Sequence, residues 1–216
     1  MRALLEESFR AAVAAADPLQ IVAAHLPPRP KGRIFVAGAG KAAAAMAVAV
    51  EKALGPVEGI AITRYGHGLP TKQIRVVEAG HPVPDEAGQA AAREILERTR
   101  ELGKDDLLLA LLSGGGSSLL ALPAPGVSMA ALKSLTGELL KSGATIQEMN
   151  TVRKHLSAIA GGRLAAASRA PVLALVISDV TGDDPTHIAS GPCAPDPTTV
   201  QDAQAVLERY GVDIEG

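Results

Sequence analysis

Residues 106–118, DLLLALLSGGGSS, decide the fold of this chain of 216 residues. The leucine run shows no alternation of apolar and polar residues, which predicts a strand buried on both faces of a parallel sheet. Three glycines and two serines follow it directly and predict a loop at the carboxyl end of the strand. Because helices cover both faces of such a sheet, this stretch indicates an α/β protein.

The rest of the chain repeats the pattern of an apolar strand followed by a helix. The predicted architecture is one α/β domain over residues 1–216, a doubly wound, mostly parallel sheet in a Rossmann-like three-layer sandwich. The other strands are predicted at 33–38, 59–64, 74–79 and 172–178. Helical periodicity and capping residues predict helices near 2–16, 18–25, 41–54, 85–102, 128–141, 146–168 and 199–210.

Composition excludes several classes of function. The net charge of −2, with 21 Lys and Arg scattered along the chain, gives no basic surface for nucleic acid. No apolar run reaches the ~20 residues of a membrane span, and the first residues, MRALLEESFR, lack the apolar core of a signal peptide, so a cytoplasmic location is expected. Cys193 is the only cysteine, which leaves neither a disulfide nor a thiolate zinc site within one chain.

The first glycine-rich loop, GAGKAA at 38–43, lies between a predicted strand and a predicted helix. Gly38 and Gly40 allow backbone amides to approach an anion, and Lys41 on the first helical turn opposes the helix dipole unless an anion compensates. The loop also fits a dinucleotide fingerprint, but Arg64 ends the next strand where an acidic residue is expected, so NAD is disfavoured and NADP remains possible. Phosphate contact through Lys41 is the favoured interpretation.

The second glycine-rich loop directly follows the leucine strand. Three consecutive glycines are entropically costly in a plain turn, whereas a close approach of backbone to phosphate requires them. Hydroxyl groups at both ends of the loop add donors. A flexible linker is the disfavoured alternative. The predicted phosphate-binding residues are Ser113, Gly114, Gly115, Gly116, Ser117 and Ser118.

Residues 172–192, VLALVISDVTGDDPTHIASGP, carry a strand into an acidic loop. Asp179, Asp183 and Asp184 provide the oxygen ligands that Mg²⁺ prefers, at the edge of the sheet where α/β enzymes bind ligands. A turn held by aspartate side chains is the alternative for this loop alone. The two glycine-rich loops favour the metal site.

Two further groups of polar residues are candidates for substrate contact. Asn150, Arg153 or Lys154, and Ser157 share one face of a predicted helix, and such a stripe either binds a carboxylate or is simply solvated. His67 and His81 lie in turns after strands, where a histidine either contacts a ligand or caps the turn.

Six segments in this order resemble the N-terminal region of the glycerate 2-kinases that carry a C-terminal MOFRL domain. The resemblance implies an ATP-dependent kinase that phosphorylates the 2-hydroxyl of D-glycerate with Mg²⁺ in a cleft between two domains. The chain would then be most of the N-terminal domain, with the MOFRL domain absent. The segments are GAGKAA, YGHG, EAGHPVPD, SGGGSSLL, NTVRKHLSAIAGGRLA and SDVTGDDPTHIASGP.

The resemblance assigns roles to the candidate residues. Lys41 and Asp179 would be catalytic, with Asp179, Asp183 and Asp184 as metal ligands, and His81 with Arg153 or Lys154 would hold the glycerate carboxylate. A missing second domain would form the other wall of the site, and a homodimer is a further expectation. Two other functions stay open, namely a noncatalytic sugar-phosphate-binding module and an NADP-dependent hydroxypyruvate reductase.

Overall fold

A computed structural model describes residues 1–213 of the chain. Its centre is a sheet of five strands in the order β3-β2-β1-β4-β5, and every neighbouring pair is parallel. The predicted doubly wound α/β fold is therefore confirmed, and each predicted strand end lies within one residue of the observed one. The strands are β1 (Ile34–Ala39), β2 (Glu58–Arg64), β3 (Ile74–Ala79), β4 (Leu107–Ser113) and β5 (Val172–Ile177).

Helices connect the strands and cover the sheet on both faces. Two short 3₁₀ turns, at Val22–His25 and Ile188–Ser190, accompany them. Within the described residues, no helix combines the length and the apolar character needed to cross a membrane. The helices are α1 (Arg2–Ala15), α2 (Pro18–Ile21), α3 (Ala43–Leu54), α4 (Glu86–Arg100), α5 (Gly116–Leu119), α6 (Met129–Lys141), α7 (Ile146–His155), α8 (Arg163–Ala166) and α9 (Val200–Tyr210).

The single helix predicted over 146–168 is wrong, because the chain forms α7 and α8 with a turn between them. Ser157 accepts hydrogen bonds from the amides of Ile159 and Ala160 at 3.1 and 3.0 Å, which replaces helical hydrogen bonding there. Gly161 and Gly162 then adopt φ values of 60° and 80°, in the left-handed region that ends a helix. Apolar residues continue at helical spacing across the turn, so periodicity alone predicted one continuous helix.

The central strand β1 shows why both faces of the sheet are buried. Ile34 and Val36 pack on one face with Met46 of α3, whereas Phe35 and Ala37 belong to the core on the other face. Alternate residues of one strand thus meet two separate helical layers, as a three-layer sandwich requires. The absence of polar residues in the interior of β1 and β4 follows from this double burial.

A third apolar cluster joins α6, α7 and α9 beside the sheet. Glu148 of α7 completes a capping box with Thr145 and also accepts hydrogen bonds from Arg209 and Tyr210 of α9. Hydrogen bonds from the Thr145 backbone, the Tyr210 hydroxyl and the Thr145 hydroxyl lower the pKa of Glu148 to about 2. One charged carboxylate therefore ties the start of α7 to the end of α9.

Lys154, on α7, is fully buried and pairs with Asp196 in the segment before α9. Its Nζ atom lies 2.6 Å from Asp196 Oδ1, which also accepts hydrogen bonds from the amide and hydroxyl of Thr198. The second carboxylate oxygen, Oδ2, is buried without a hydrogen-bond partner among residues 1–213. A buried charge of this kind depends on its partner, because neither group can regain its hydration in place.

We predict that Asp196→Ala lowers the free energy of unfolding by about 3–5 kcal/mol, because it leaves the Lys154 ammonium buried and unpaired. Urea denaturation at neutral pH measures this loss. Glu208→Ala, which removes an exposed carboxylate from α9, is the matched control and should change stability by less than about 0.5 kcal/mol. Equal effects of the two variants would show that the pair does not anchor α7.

Candidate functional site

The site lies where the sheet changes its winding direction. From β1 the chain adds β2 and β3 on one side, and then places β4 and β5 on the other side of β1. The loops after β1 and β4 meet at this switch point, where the Lys41 amide donates to Gly114 O at 2.9 Å and the Ala42 amide donates to Ser113 Oγ at 3.0 Å. Open α/β sheets bind ligands in the crevice that such a reversal creates.

The first glycine-rich loop, after β1, directs its amides to the protein itself. The Gly40 amide donates to Ile62 O at 3.1 Å, and the next two amides reach the loop after β4. A Cβ on Gly40 would collide with Ser113 Oγ, and one on Gly38 would lie 2.9 Å from the Ala61 Cβ atom. Close packing therefore accounts for both glycines, and their role in binding phosphate stays a prediction.

The second glycine-rich loop, after β4, keeps its amides free. Within residues 1–213, no backbone hydrogen bond has the amide of Gly114, Gly115, Gly116 or Ser117 as its donor. Gly115 has a φ of 85° and immediately precedes α5, so the chain turns here in a conformation that L side chains rarely adopt. Successive free amides in a turn form a concavity that suits an anion.

Its hydroxyl groups are partly engaged. Ser113 Oγ accepts from the first loop, Ser118 Oγ donates to Gly115 O at 3.1 Å, and Ser117 Oγ accepts from Ser190 Oγ at 2.8 Å. These bonds join the loops after β1, β4 and β5 into one surface. The predicted serines thus shape the site, and direct contact of their hydroxyls with phosphate stays a prediction.

Three predicted side chains converge on this second loop. Lys41 Nζ lies 3.6 Å from Asp179 Oδ2, and both side chains are about half exposed. A Cβ on Gly114 would collide with the Asp179 carboxylate, and one on Gly115 would lie 2.8 Å from His81 Nε2. Burial, followed by the positive charges of Lys41 and Arg64, lowers the pKa of His81 and favours the neutral imidazole. The structure therefore unites a cation, a carboxylate and a neutral histidine.

The acidic loop after β5 does not gather its carboxylates into one cluster. Asp184 accepts from the Thr186 amide and hydroxyl at 2.8 and 2.7 Å, and its other oxygen lies 3.8 Å from His187 Nε2. Asp183 adopts a φ of 52° in an exposed turn. Among the residues that the structure describes, no three His, Cys, Asp or Glu side chains are placed to share a metal ion. Of the predicted ligands, Asp179 has the carboxylate that reaches Lys41.

A cavity of about 470 Å³ opens beside the second glycine-rich loop, between α6 and α7. Arg153 lines it and donates to Ser117 O at 3.1 Å, and burial lowers the pKa of its guanidinium. His81 and His187 lie at the same cavity, whereas Lys154 points into its pair with Asp196. The geometry thus favours Arg153 over Lys154 for substrate contact.

The α6 face of this cavity was not predicted from the sequence. Leu132 lines it together with Lys133, Thr136, Gly137 and Leu140, and the spacing i, i+3, i+4 and i+7 of the last four marks one helix face. The stronger apolar stripe of the same helix, through Leu135 and Leu139, faces the third core cluster instead. The signal in the sequence that could have indicated this wall was the second set of α6 residues at helical spacing.

Comparisons with known proteins show the family of the chain. A family model described as "Domain of unknown function (DUF4147)" matches residues 4–215. A protein of Agrobacterium vitis named "Putative hydroxypyruvate reductase" is 55% identical over 216 residues, covering 99% of this chain and 49% of the relative. The D-glycerate 2-kinase of Thermotoga maritima is 46% identical over 217 residues, covering 99% and 52%.

A crystal structure of glycerate kinase from Thermotoga maritima superimposes with a TM-score of 0.87 at 44% identity. The match covers 95% of this chain and 51% of that one. The chain therefore spans about half the length of the curated relatives that it matches. Since the family model covers nearly every residue, the chain belongs to the DUF4147 family, which includes the N-terminal domain of glycerate kinases.

Proposed function

We propose that this chain is the phosphate-binding part of a glycerate 2-kinase, which transfers the γ-phosphoryl group of ATP to the 2-hydroxyl of D-glycerate. The products are 2-phosphoglycerate and ADP. The observation that carries the proposal is the second glycine-rich loop, whose amides donate no backbone hydrogen bond and whose glycines lie close to the side chains of Lys41 and Asp179. Phosphoryl transfer depends mainly on positioning and charge neutralisation, which these groups supply.

The two glycine-rich loops differ in their hydrogen bonding, and this difference favours a kinase over a reductase. Dinucleotide binding uses free amides in the loop after β1 and an acidic residue at the end of β2. Here the amides of Gly40, Lys41 and Ala42 are already bonded, and Arg64 ends β2. A sugar-phosphate module would share the free loop after β4, but it would have no need of Asp179 beside Lys41.

The residues fit Mg²⁺ that arrives with the nucleotide. Mg²⁺ is commonly held by one or two carboxylates together with phosphate oxygens and water, and Asp179 offers one half-exposed carboxylate at the phosphate loop. Asp183 and Asp184 would act through water, since their side chains lie apart from a shared ligand set. When bound, Mg²⁺ would neutralise charge on the transferring phosphoryl group.

The acceptor substrate would be oriented by Arg153 and His81. The Arg153 guanidinium borders the cavity and is oriented by its hydrogen bond to Ser117 O, so a glycerate carboxylate can pair with it. Neutral His81 contributes a hydrogen bond rather than a charge. We assign the proton of the 2-hydroxyl to a carboxylate of the loop after β5, which lies at the same crevice.

All of these groups form one wall of the site. They belong to loops at the carboxyl edge of the sheet and to the flanking helices. Phosphoryl transfer proceeds best where solvent is excluded, so we propose that a second domain, such as MOFRL, closes over this edge in the cytoplasmic enzyme. We also propose that the chain forms a homodimer, because surface that a second domain would otherwise cover favours self-association.

Ligand-dependent thermal unfolding tests the assignment. We expect Mg·ATP to raise the Tm of the 216-residue chain, because a ligand that binds only the folded state stabilises it. NADPH and glucose 6-phosphate should leave the Tm unchanged. A rise with NADPH alone would support the reductase, and a rise with the sugar phosphate alone would support the binding module. The same chain should release almost no ADP with D-glycerate, whereas a two-domain form should turn over.

We predict that Lys41→Ala lowers turnover of a two-domain form by at least about 100-fold, because the cation at the phosphate loop is lost. Coupled ADP release measures turnover, and thermal unfolding checks that stability is preserved. Lys52→Ala is the matched control, since Lys52 is an exposed lysine in the last turn of the helix that follows the same loop. Near-normal turnover of Lys41→Ala would remove Lys41 from the reaction.

We predict that Asp179→Asn raises the Mg²⁺ concentration for half-maximal ADP release by about tenfold or more, because it removes the carboxylate nearest to the phosphate loop. Asp183→Asn should raise it less, and Asp184→Asn least. A Mg²⁺ titration of the rate at saturating ATP provides the comparison. If Asp179→Asn leaves the titration unchanged while Asp183→Asn shifts it, the metal assignment passes to Asp183.

A further inference from the structure

We propose that the cavity between α6 and α7 binds the nucleoside of the phosphoryl donor, with the base and ribose lying between the two helices. The inference rests on the proposed kinase function and extends it, because the loops at the switch point account only for the phosphates. The cavity measures about 470 Å³, a size typical of sites for drug-sized ligands. D-glycerate is far smaller and would fill little of it.

The lining of the cavity has the chemistry that a nucleoside requires. Most of its surface is apolar, and Leu132, Leu140, Ile146 and Met149 supply aliphatic contacts from α6 and α7. A purine or pyrimidine ring buries two broad faces, which such side chains can cover without aromatic stacking. D-glycerate is a small monoanion that could pair with Arg153 and His81 at the edge of the cavity, but its polar oxygens would gain nothing from the aliphatic wall between the helices.

Polar side chains also lie among these apolar residues. Thr136, Gln147 and Asn150 offer hydroxyl and amide groups at the cavity wall. Side-chain amides can donate and accept at once, as the edge of a base does. A pocket whose surface is mostly apolar, with polar groups that can fix the orientation of the ligand, suits a nucleoside.

The cavity is continuous with the phosphate loop. Gly115, Ser117 and Ser118 line it directly, and Arg153 bridges the two regions through its hydrogen bond to Ser117 O. A molecule with its phosphates on the free amides of this loop would therefore have its remaining part at the opening of the cavity. A nucleotide matches this arrangement, because it joins charged phosphates to a nucleoside whose base has apolar faces.

Gly137 gives independent support. It lies inside the 13-residue helix α6, where glycine destabilises a helix by about 1 kcal/mol relative to alanine. Neither a positive φ nor packing requires it, because no described atom beyond its two chain neighbours and the adjacent backbone of α6 lies within 4 Å of a Cβ placed there. Gly137 borders the cavity, so the absent side chain keeps this wall open. Room for a ligand is the physical reason that remains.

A larger side chain at position 137 would fill part of the cavity, and this provides the test. Gly137→Leu should fold normally, because leucine favours a helix and its Cβ meets no neighbour. We expect it to raise the Kd of Mg·ATP for the 216-residue chain by at least about tenfold. Binding of Mg·tripolyphosphate, which has no nucleoside, should be unchanged. Ala130→Leu adds apolar bulk at an exposed position of the same helix and is the control. Isothermal titration calorimetry measures the affinities of both variants and of the wild-type chain.

The outcomes separate this inference from the function on which it rests. If Gly137→Leu weakens neither ligand, the nucleoside lies elsewhere, although the kinase assignment stands. If it weakens tripolyphosphate equally, the variant has disturbed the phosphate loop and the cavity has no specific role for the nucleoside. If the wild-type chain binds neither ligand, the proposed function itself fails. Tighter binding of D-glycerate than of nucleotide to the cavity would assign it to the acceptor instead.

A fluorescent reporter gives a second measurement that does not depend on blocking the cavity. The chain contains no tryptophan, so Leu140→Trp introduces a single one at an exposed position on the cavity wall. Mg·ATP should change its emission, whereas Mg·tripolyphosphate should not. Val13→Trp on α1, also exposed, is the control and should respond to neither ligand. Equal responses at both positions would contradict the proposal.

Discussion

The site depends on the hydrogen bonds that join the loops after β1 and β4 at the switch point. The Lys41 and Ala42 amides donate to Gly114 O and Ser113 Oγ, so the first loop is fixed to the second. This arrangement occupies the amides of the first loop, whereas those of the second donate no backbone hydrogen bond, and it holds Lys41 close to the second loop. The two glycine-rich segments look alike in sequence, yet one serves as a support and the other as the candidate anion site.

The fold could be predicted because the burial of each strand residue determines whether that residue is apolar. Strands β1 and β4 lie between two helical layers, so both of their faces must be apolar, and an uninterrupted run such as Leu107–Leu112 fits a doubly buried strand far better than an exposed element. The break between α7 and α8 was missed for the opposite reason. It depends on the Ser157 hydroxyl and on Gly161 and Gly162, which compete locally with a helix that periodicity alone supports.

The candidate site was predictable in its position but not in its details. Loops at the carboxyl ends of parallel strands lie at the same edge of the sheet, and this rule places Lys41 and Asp179 on that edge. Their contact depends on the strand order, in which only β4 separates β1 from β5. The choice between Arg153 and Lys154 depends on which way each side chain leaves α7, and that follows from Asp196, a partner 42 residues away from Lys154. Long-range pairing of this kind leaves no local pattern, so adjacent basic residues look equivalent in the sequence.

The buried pair also explains how a single helix can serve both the core and the site. Lys154 and Asp196 fix α7 on the side away from the cavity, and the neighbouring Glu148 ties the same helix to α9. With these contacts in place, Arg153 and Asn150 are presented to the cavity by a helix that has little freedom to rotate. The buried Lys154–Asp196 pair thus determines where Arg153 lies at the cavity. Because Lys154 is desolvated, α7 could move only by separating this pair, which would leave a buried charge without a partner.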